Sequence, residues 1–270
     1  MADTSPAPAR GDFDLTGRVA VVTGGAGFLG GAFSRALAEY GAQVVVGDLD
    51  AAACDKVAGE VARTTGGGAL GLAADVGNAT SVQRLVDEVV RHFGRLDVLV
   101  NNAAARSPRF FEPFESYSLT DWNEVMRVNV TGVFLCSQAA GRQMLQQGSG
   151  SIINIASVYA AVAPDQRIYE GVPFNTPAVY SASKAAVVGM TRYLAAYWGA
   201  RNVRVNAISP GGVERAEHPR RFVGQYAARV PLGRMGRERD LRGALVFLAS
   251  DASAYVTGQE FLVDGGLTAW

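Results

Sequence analysis

Short apolar runs recur along the chain and alternate with longer stretches of mixed polarity. Several runs, such as Val44 to Val46, are apolar at every position rather than at every second one. Continuous apolarity is typical of parallel strands that are covered on both faces. The pattern predicts seven strands, at residues 18–23, 43–47, 69–73, 96–100, 151–155, 203–208 and 260–263.

The stretches between the strands carry helix signals. Residues 120–124, for example, place polar and acidic side chains where the first turn of a helix favours them. The sequence predicts helices at residues 28–40, 51–64, 78–93, 119–147, 177–199, 212–229 and 237–250. Strands that alternate with helices, joined by right-handed crossovers, predict a doubly wound α/β sheet. The longest irregular stretch, 158–176, is a candidate functional loop.

Composition narrows the class of protein. The 270 residues are 49% hydrophobic and 19% charged, enough apolar material for one large α/β domain. No linker-like stretch divides residues 13–270, so we predict one domain after a flexible leader at 1–12. The formal net charge of 0 excludes a strongly basic nucleic-acid binder, and no apolar run reaches the roughly 18 residues of a membrane span. No nucleic acid or membrane partner is therefore expected.

The cysteines and histidines give no sign of a disulfide framework or a metal site. Cys54 and Cys136 are too few for a framework, so we expect two buried thiols in a reducing compartment. His92 and His218 are too few and too far apart to bind zinc, and no metal is expected. The first residues lack the apolar core of a signal peptide, and a cytoplasmic location is predicted.

A glycine-rich turn lies between the first predicted strand and the first predicted helix. Such a turn lets the backbone approach a pyrophosphate, to which the helix N-terminus presents free N–H groups. A turn that merely ends a strand is the alternative. The context favours a dinucleotide site, and its candidate residues are Gly24, Gly27, Phe28, Leu29 and Gly30.

An acidic residue ends the second predicted strand. Asp48 lies 24 residues after Gly24, where a carboxylate can accept hydrogen bonds from the ribose hydroxyls of a bound dinucleotide. It would repel a 2′-phosphate, and the neighbouring Leu49 offers no compensating cation. We therefore expect NAD rather than NADP. Asp48 could equally cap the helix that begins at Ala51, and both interpretations could hold.

A tyrosine and a lysine lie four residues apart on a predicted helix. The spacing puts Tyr180 and Lys184 on one face. A phenol has a pKa near 10, and a nearby ammonium favours its ionised form, which would produce a general acid/base near neutral pH. The chain contains only two lysines, Lys56 and Lys184, among its 25 basic residues, so this spacing has little chance of arising at random.

With these residues the sequence resembles the short-chain dehydrogenase/reductase family, in its compact single-domain form. The resemblance extends from about Leu15 to the C-terminus. It implies a Rossmann-type fold, a seven-stranded parallel sheet with helices on both faces, and a homotetramer as the oligomer. Besides Tyr180 and Lys184, it is carried by Asp75-Val76, Asn101-Asn102-Ala103, Asn129, Ile153 to Ser157, Pro210-Gly211-Gly212 and Val263 to Gly266.

The resemblance also implies roles. Tyr180 would be the acid/base, Lys184 would lower its pKa and bind the nicotinamide ribose, and Ser157 would hydrogen-bond the substrate oxygen. Asn129 would hold a water molecule that links Lys184 to solvent. Further cofactor contacts would come from Asp75, Val76, Asn102, Ala103, Ala104, Pro210, Gly211 and Val213. From the residues alone, Ser157 could also be a strand-end turn residue and Asn129 could bond local backbone.

The sequence departs from the family pattern around the proposed site. Phe28 stands where the compact form usually has glycine, and Ala104 replaces the glycine that usually follows Asn-Asn-Ala. Ser157 and Tyr180 are 23 residues apart, about ten more than usual for the family. The threonine that commonly follows Pro-Gly is also absent. These departures bear most on substrate identity.

Arginines near the expected substrate mouth favour a polar substrate. Arg106 and Arg109 follow the fourth strand, and 212–229, read as a lid, carries Arg215, Arg220 and Arg221 among others. We predict an NAD-dependent oxidoreductase that interconverts a secondary alcohol and a ketone, with a sugar or polyol derivative as the small-molecule substrate. The features also resemble the branch associated with bacterial surface-sugar and flagellin-glycan biosynthesis. Alternatives are a 3-oxoacyl-[acyl-carrier-protein] reductase-like enzyme and a non-catalytic cofactor-binding regulatory protein.

Overall fold

Seven parallel strands form one sheet in the computed structural model, which describes residues 11–270. The strand order is β3-β2-β1-β4-β5-β6-β7, and each neighbouring pair is parallel. The doubly wound sheet predicted from the sequence is thereby confirmed. The strands are β1 (Val19–Thr23), β2 (Gln43–Asp48), β3 (Ala69–Ala73), β4 (Val98–Asn101), β5 (Gly150–Ile155), β6 (Val203–Pro210) and β7 (Glu260–Val263).

Eight α-helices connect or follow these strands in the described part of the chain. Side chains that accept hydrogen bonds from backbone N–H groups begin three of them: Asp50 caps α2, Asn78 caps α3 and Ser118 caps α4. The helices are α1 (Phe28–Glu39), α2 (Ala51–Thr65), α3 (Ala79–Phe93), α4 (Leu119–Met126), α5 (Val133–Gln147), α6 (Ala178–Trp198), α7 (Arg220–Ala227) and α8 (Arg242–Ala249).

The core occupies both faces of the sheet. On one face α1, α2 and α8 pack through residues such as Phe33, Val61 and Leu245. On the other face α3, α5 and α6 pack through residues such as Leu85 and Met144. All five residues of β1 are buried, which explains why its sequence is apolar at successive positions. Both cysteines are buried free thiols, and burial raises the pKa of Cys136 to about 12.

The direction of winding reverses between β1 and β4. β2 and β3 lie on one side of β1, whereas β4 to β7 continue on the other side. The loops that leave the carboxyl ends of β1 and β4 therefore diverge and open a crevice, the usual place for a ligand in an open α/β sheet.

Three predicted helices are wrong in extent. The stretch 119–147 is interrupted by a π-helical turn, Arg127–Gly132, between α4 and α5. Only Arg220–Ala227 is helical within 212–229, because Pro219 restricts the residue before it and Gly212 is packed against Tyr226. The stretch 237–250 begins with a 3-10 turn, Glu238–Leu241, before α8.

The predicted leader, 1–12, lies outside the described residues except for Gly11 and Asp12. These two begin a 3-10 turn, Gly11–Phe13. Among residues 11–270, no helix has both the length and the apolar character that crossing a bilayer requires.

Candidate active site

The glycine-rich turn after β1 closes tightly against its surroundings. Gly24 has a φ of 61°, and a Cβ atom there would lie 2.8 Å from the Cα of Ala103. A Cβ atom on Gly30 would lie 2.0 Å from the carbonyl oxygen of Gly24. Gly27 begins α1 without any side-chain cap, unlike the residues that begin α2, α3 and α4. The first N–H groups of α1, including those of Phe28 and Leu29, therefore remain available for an anion, and the turn fits a pyrophosphate.

Asp48 ends β2 beside this turn. One carboxylate oxygen accepts a hydrogen bond from the Ala26 N–H at 3.1 Å, and the other accepts one from the Leu49 N–H at 2.8 Å. Asp48 thus fixes the turn as well as facing the crevice. It does not cap α2, because Asp50 takes that role. The Leu49 side chain is exposed and adds no charge.

A buried threonine links the two strands at the point where the winding reverses. The Thr23 hydroxyl accepts hydrogen bonds from the N–H groups of Asn102 (3.1 Å) and Ala103 (3.2 Å). The Asn102 amide in turn donates to the carbonyl oxygens of Thr23 and Gly24, each at 3.0 Å. Sequence reasoning assigned no role to Thr23, although a polar residue that ends a buried strand was a signal for one. Ala104, the next cofactor candidate, is exposed at the same edge.

The remaining cofactor candidates follow β3 and β6. Asp75 accepts hydrogen bonds from the Arg127 guanidinium at 3.1 Å, a contact that sequence reasoning missed. Val76 is buried against Gly132 in the π-helical turn. The structure thus brings the segment after β3 against the π-helical turn that precedes α5.

The segment after β6 is held close to the end of β7. Pro210 ends β6, and the Gly211 N–H donates to the Val263 carbonyl oxygen at 3.0 Å. A Cβ atom on Gly211 would lie 2.9 Å from the Cα of Asp264. Val213 forms a single parallel bridge with Gly236. Pro210, Gly211 and Val213 therefore lie along the carboxyl edge of the sheet, as the sequence predicted.

Tyr180, Lys184 and Ser157 meet near the carboxyl end of β5. The Lys184 Nζ atom lies 5.7 Å from the centre of the Tyr180 ring and donates to the Ile155 carbonyl oxygen at 2.7 Å. Ser157 follows β5, and its hydroxyl interacts with that of Tyr180. Ser157 also accepts a hydrogen bond from the Tyr159 N–H at 3.2 Å, so it is a turn residue as well.

Burial shifts the pKa values of both Lys184 and Tyr180. Burial lowers the pKa of Lys184 to about 8, and its side chain is 4% exposed. Burial raises the pKa of Tyr180, while the Ser157 hydroxyl and the positive charge of Arg106 oppose that rise. The expected depression of the Tyr180 pKa by Lys184 is thus not found within the chain itself, because the cost of burying a phenolate is larger.

Asn129 lies in the π-helical turn and joins two distant segments. Its side-chain oxygen accepts from the Ala105 N–H at 2.9 Å, and its side-chain nitrogen donates to the Ser183 hydroxyl at 3.1 Å. Ser183 precedes Lys184 on α6. Asn129 therefore does not bond local backbone, and it connects the loop after β4 to the helix that carries Tyr180 and Lys184.

Aromatic side chains surround the mouth of the crevice. The Tyr169 hydroxyl lies 3.0 Å from that of Tyr159 and 2.6 Å from that of Thr176. At the opposite side, the Arg215 guanidinium lies 4.7 Å from the centre of the Phe28 ring. The unusual Phe28 thus contacts the segment that follows β6. Among residues 11–270, no group of three His, Cys, Asp or Glu side chains could hold a metal ion.

Comparisons with known proteins identify relatives of the chain. The chain matches the family model described as enoyl-(acyl carrier protein) reductase over residues 25–268. It is 40% identical over 264 residues to a D-threitol dehydrogenase of Mycolicibacterium smegmatis, covering 95% of each chain. It is 39% identical to a 3-oxoacyl-[acyl-carrier-protein] reductase of Synechocystis, covering 94% of this chain and 98% of the relative.

A solved structure also matches most of this chain. The crystal structure of a gluconate 5-dehydrogenase from Burkholderia cenocepacia, in complex with NADP and tartrate, superposes with a TM-score of 0.86. The two chains are 35% identical, and the match covers 96% of this chain and 98% of the other. Fold, site and matches together define an oxidoreductase that acts on alcohols with a nicotinamide cofactor. The chain belongs to the short-chain dehydrogenase/reductase family.

Proposed function

We propose that the protein is an NAD-dependent dehydrogenase that interconverts a secondary alcohol and a ketone on a polar, polyol-like substrate. The observation that carries this proposal is the meeting of Tyr180, Ser157 and Lys184 at the carboxyl edge of the sheet, the same edge at which the glycine-rich turn follows β1. The identity to a D-threitol dehydrogenase supports the substrate class.

Each residue of the site would have its own role in the reaction. The nicotinamide, when bound, supplies the hydride acceptor or donor. Tyr180 takes the hydroxyl proton of the alcohol while the carbon loses its hydride, so that a carbon–oxygen double bond forms. Ser157 hydrogen-bonds the same substrate oxygen. Lys184 stabilises the ionised Tyr180, and Asn129 would hold a water molecule that connects Lys184 to solvent.

The proposed preference for NAD rests on Asp48. Asp48 lies 24 residues after Gly24 in the sequence, and its carboxylate faces the crevice. A negative charge there disfavours the 2′-phosphate that NADP carries on its ribose. The gluconate dehydrogenase structure contains NADP, so the preference needs its own measurement. Comparing kcat/KM for NAD and NADP tests it, and a higher value for NADP would refute the charge argument.

Substitution of the acid/base tests the dehydrogenase function. Tyr180→Phe removes one hydroxyl, and we expect kcat to fall by at least about 100-fold because proton transfer is lost. NADH binding, followed by its fluorescence, should be retained. Tyr193→Phe, on an exposed position of the same helix, is the matched control and should keep full activity. Unchanged turnover in Tyr180→Phe would contradict the assignment.

A 3-oxoacyl-[acyl-carrier-protein] reductase-like activity is the second candidate, favoured by the 39% identity to such an enzyme. A panel of polyols, sugars, sugar phosphates and 3-oxoacyl thioesters, followed by NADH or NADPH absorbance, separates the two. The surface-sugar and flagellin-glycan branch stays a prediction, and the sugar phosphates of that panel test it. Turnover of the thioesters alone would contradict the polyol proposal.

We further propose a homotetramer that works in the cytoplasm. On α6 the exposed positions Ala185, Gly189 and Tyr193 follow one another at four-residue intervals, which gives an apolar stripe. A groove of about 1030 Å³ lies beside α6, on the side away from Lys184. Two buried polar atoms that line it, Asn175 Oδ1 and Ser181 Oγ, have no hydrogen-bond partner within residues 11–270. A second copy of the chain would cover this surface.

A further inference from the structure

Arg106 holds a fixed position just beyond the end of β4. The preceding residue, Ala105, donates its N–H to the Asn129 side chain at 2.9 Å, so the backbone that leads to Arg106 is anchored. The guanidinium then packs on two rings, with its Cζ atom 5.9 Å from the centre of Phe110 and 5.8 Å from that of Phe111. Arg106 is exposed, and both ring contacts lie within the roughly 6 Å range of a cation–π interaction, which favours this placement of its positive charge.

The same two rings connect Arg106 to both sides of the substrate mouth. Phe110 contacts the Tyr180 ring edge-on, with centres 6.4 Å apart. Phe111 contacts Phe174 at 6.0 Å, and Phe174 contacts His218 at 6.4 Å. The charge of Arg106 favours the ionised form of Tyr180. Burial lowers the pKa of His218, and the charges of Arg215 and then Arg106 act in the same direction. Arg106 therefore lies between the acid/base and the segment that follows β6.

The neighbouring charges leave Arg106 available for a ligand. Arg109 is paired with the buried Asp121 carboxylate at 3.0 Å. Asp165, in the loop after β5, is paired with Arg167 at 2.8 Å and with Arg229 at 3.3 Å. Among residues 11–270, by contrast, no carboxylate forms an ion pair with Arg106. The aromatic rings position this cation without neutralising it.

We propose that Arg106 binds an anionic group of the substrate, a carboxylate or a phosphate, whose hydroxylated carbon is oxidised at Tyr180. This inference rests on the proposed dehydrogenase function and narrows its substrate class to hydroxy acids or polyol phosphates. A planar guanidinium suits either anion, because it can donate two parallel hydrogen bonds. Arg106 is thus a specificity-determining residue, and the oxidation itself is unchanged.

The test compares three six-carbon compounds that differ in charge: D-glucitol, D-gluconate and D-glucitol 6-phosphate. In the wild-type protein with NAD we expect a lower KM for one or both anions than for glucitol. Arg106→Leu should raise the KM of the preferred anion by about 10- to 100-fold, the usual effect of losing a charge-assisted hydrogen bond. The ratio of this KM to the KM of glucitol should rise by the same factor, because a neutral polyol offers Arg106 no charge, whereas a change in kcat through Tyr180 would affect all three compounds alike. Which anion responds distinguishes the carboxylate from the phosphate.

Arg109→Leu is the matched control, because it removes the same charge from a guanidinium that Asp121 already neutralises. It should leave the ratio of KM values for anion and polyol unaltered. Equal KM values in the wild type, or an equal change in both arginine variants, would overturn the proposal. Turnover of glucitol reports on the dehydrogenase function separately.

A binding measurement keeps the inference testable if none of the three compounds is oxidised. Calorimetric titration of the same compounds into the protein with bound NADH should show tighter binding of an anion, lost in Arg106→Leu and retained in Arg109→Leu. Anion affinity equal to that of glucitol, or affinity unaffected by Arg106→Leu, would refute the role of Arg106 independently of activity.

Discussion

Lys184 combines a functional position with an energetic cost. The residue is 4% exposed, and its amine donates to a backbone carbonyl oxygen rather than to a carboxylate. Burial therefore lowers its pKa from 10.5 to about 8. Below pH 8 the folded protein carries the full cost of a buried ammonium. Between pH 8 and 10.5 the folded chain releases the proton while the unfolded chain keeps it, so this cost disappears as pH rises.

Substituting Lys184 should expose this effect. The measured quantity is the difference in the free energy of unfolding between the cofactor-free wild type and Lys184→Met. This difference, wild type minus variant, should rise by about 3 kcal/mol between pH 8 and 10.5, which is the free energy that corresponds to the pKa shift. Urea unfolding at several pH values measures it. Lys56→Met is the control, because it makes the same chemical change at an exposed position of α2. Parallel pH curves for Lys184→Met and wild type would contradict the assigned burial.

The local spacing of Tyr180 and Lys184 made their proximity predictable, whereas tertiary contacts could not be predicted from the sequence. Tyr180 and Lys184 are one helical turn apart, so their proximity follows from the sequence. The Asn129 partners, by contrast, are 24 and 54 residues away. The direction of the Tyr180 pKa was also wrong, because burial depends on the packing of the whole domain.

At the scale of elements, the strands were easier to predict than the interruptions of helices. Buried parallel strands leave an unbroken apolar pattern, and β3 and β7 were predicted to the residue. The π-helical turn at Arg127–Gly132 was not predicted, because such turns are rare and the flanking residues still read as one long helix. Yet that turn positions Asn129.

Two adjacent glycines near the start of α1, Gly30 and Gly31, differ in how much space a side chain would have. A Cβ atom on Gly30 would lie 2.0 Å from the Gly24 carbonyl oxygen, whereas one on Gly31 would lie 3.8 Å from the Val57 side chain. We expect Gly30→Ala to lower the free energy of unfolding by about 1–3 kcal/mol, because backbone atoms must move. Gly31→Ala should be neutral or stabilise by up to about 1 kcal/mol, since alanine favours a helix.

Urea unfolding followed by circular dichroism measures both variants under identical conditions. The comparison is matched because both residues lie on α1 and both substitutions replace glycine by alanine. Equal effects of the two substitutions would mean that the turn relaxes easily, which would contradict the tight closure seen between Gly24 and Gly30.

At the scale of the molecule, the sheet brings distant residues to one edge. The ends of β1, β2, β4, β5 and β6 supply the glycine-rich turn, Asp48, Asn102, Ser157 and Pro210. The sequence predicted this convergence, since all parallel strands present their carboxyl ends at one edge. It did not predict how the long 158–176 loop and the residues after β4 form the substrate mouth. Those shapes depend on aromatic contacts between distant segments, such as Tyr169 with Phe222.

The surface of α5 and α6 carries the last prediction, on assembly. Phe134, Tyr193 and Tyr197 are 47%, 66% and 67% exposed, and large exposed apolar groups on neighbouring helices mark an interface. We expect light scattering to give four times the chain mass of 28.4 kDa. Phe134→Asp combined with Tyr193→Asp should halve that mass, because buried unpaired carboxylates disfavour association. Ala52→Asp, at an exposed position of α2, should leave the tetramer intact. A wild-type monomer would contradict the proposed assembly, and so would a double variant that remains tetrameric with an unchanged circular dichroism spectrum.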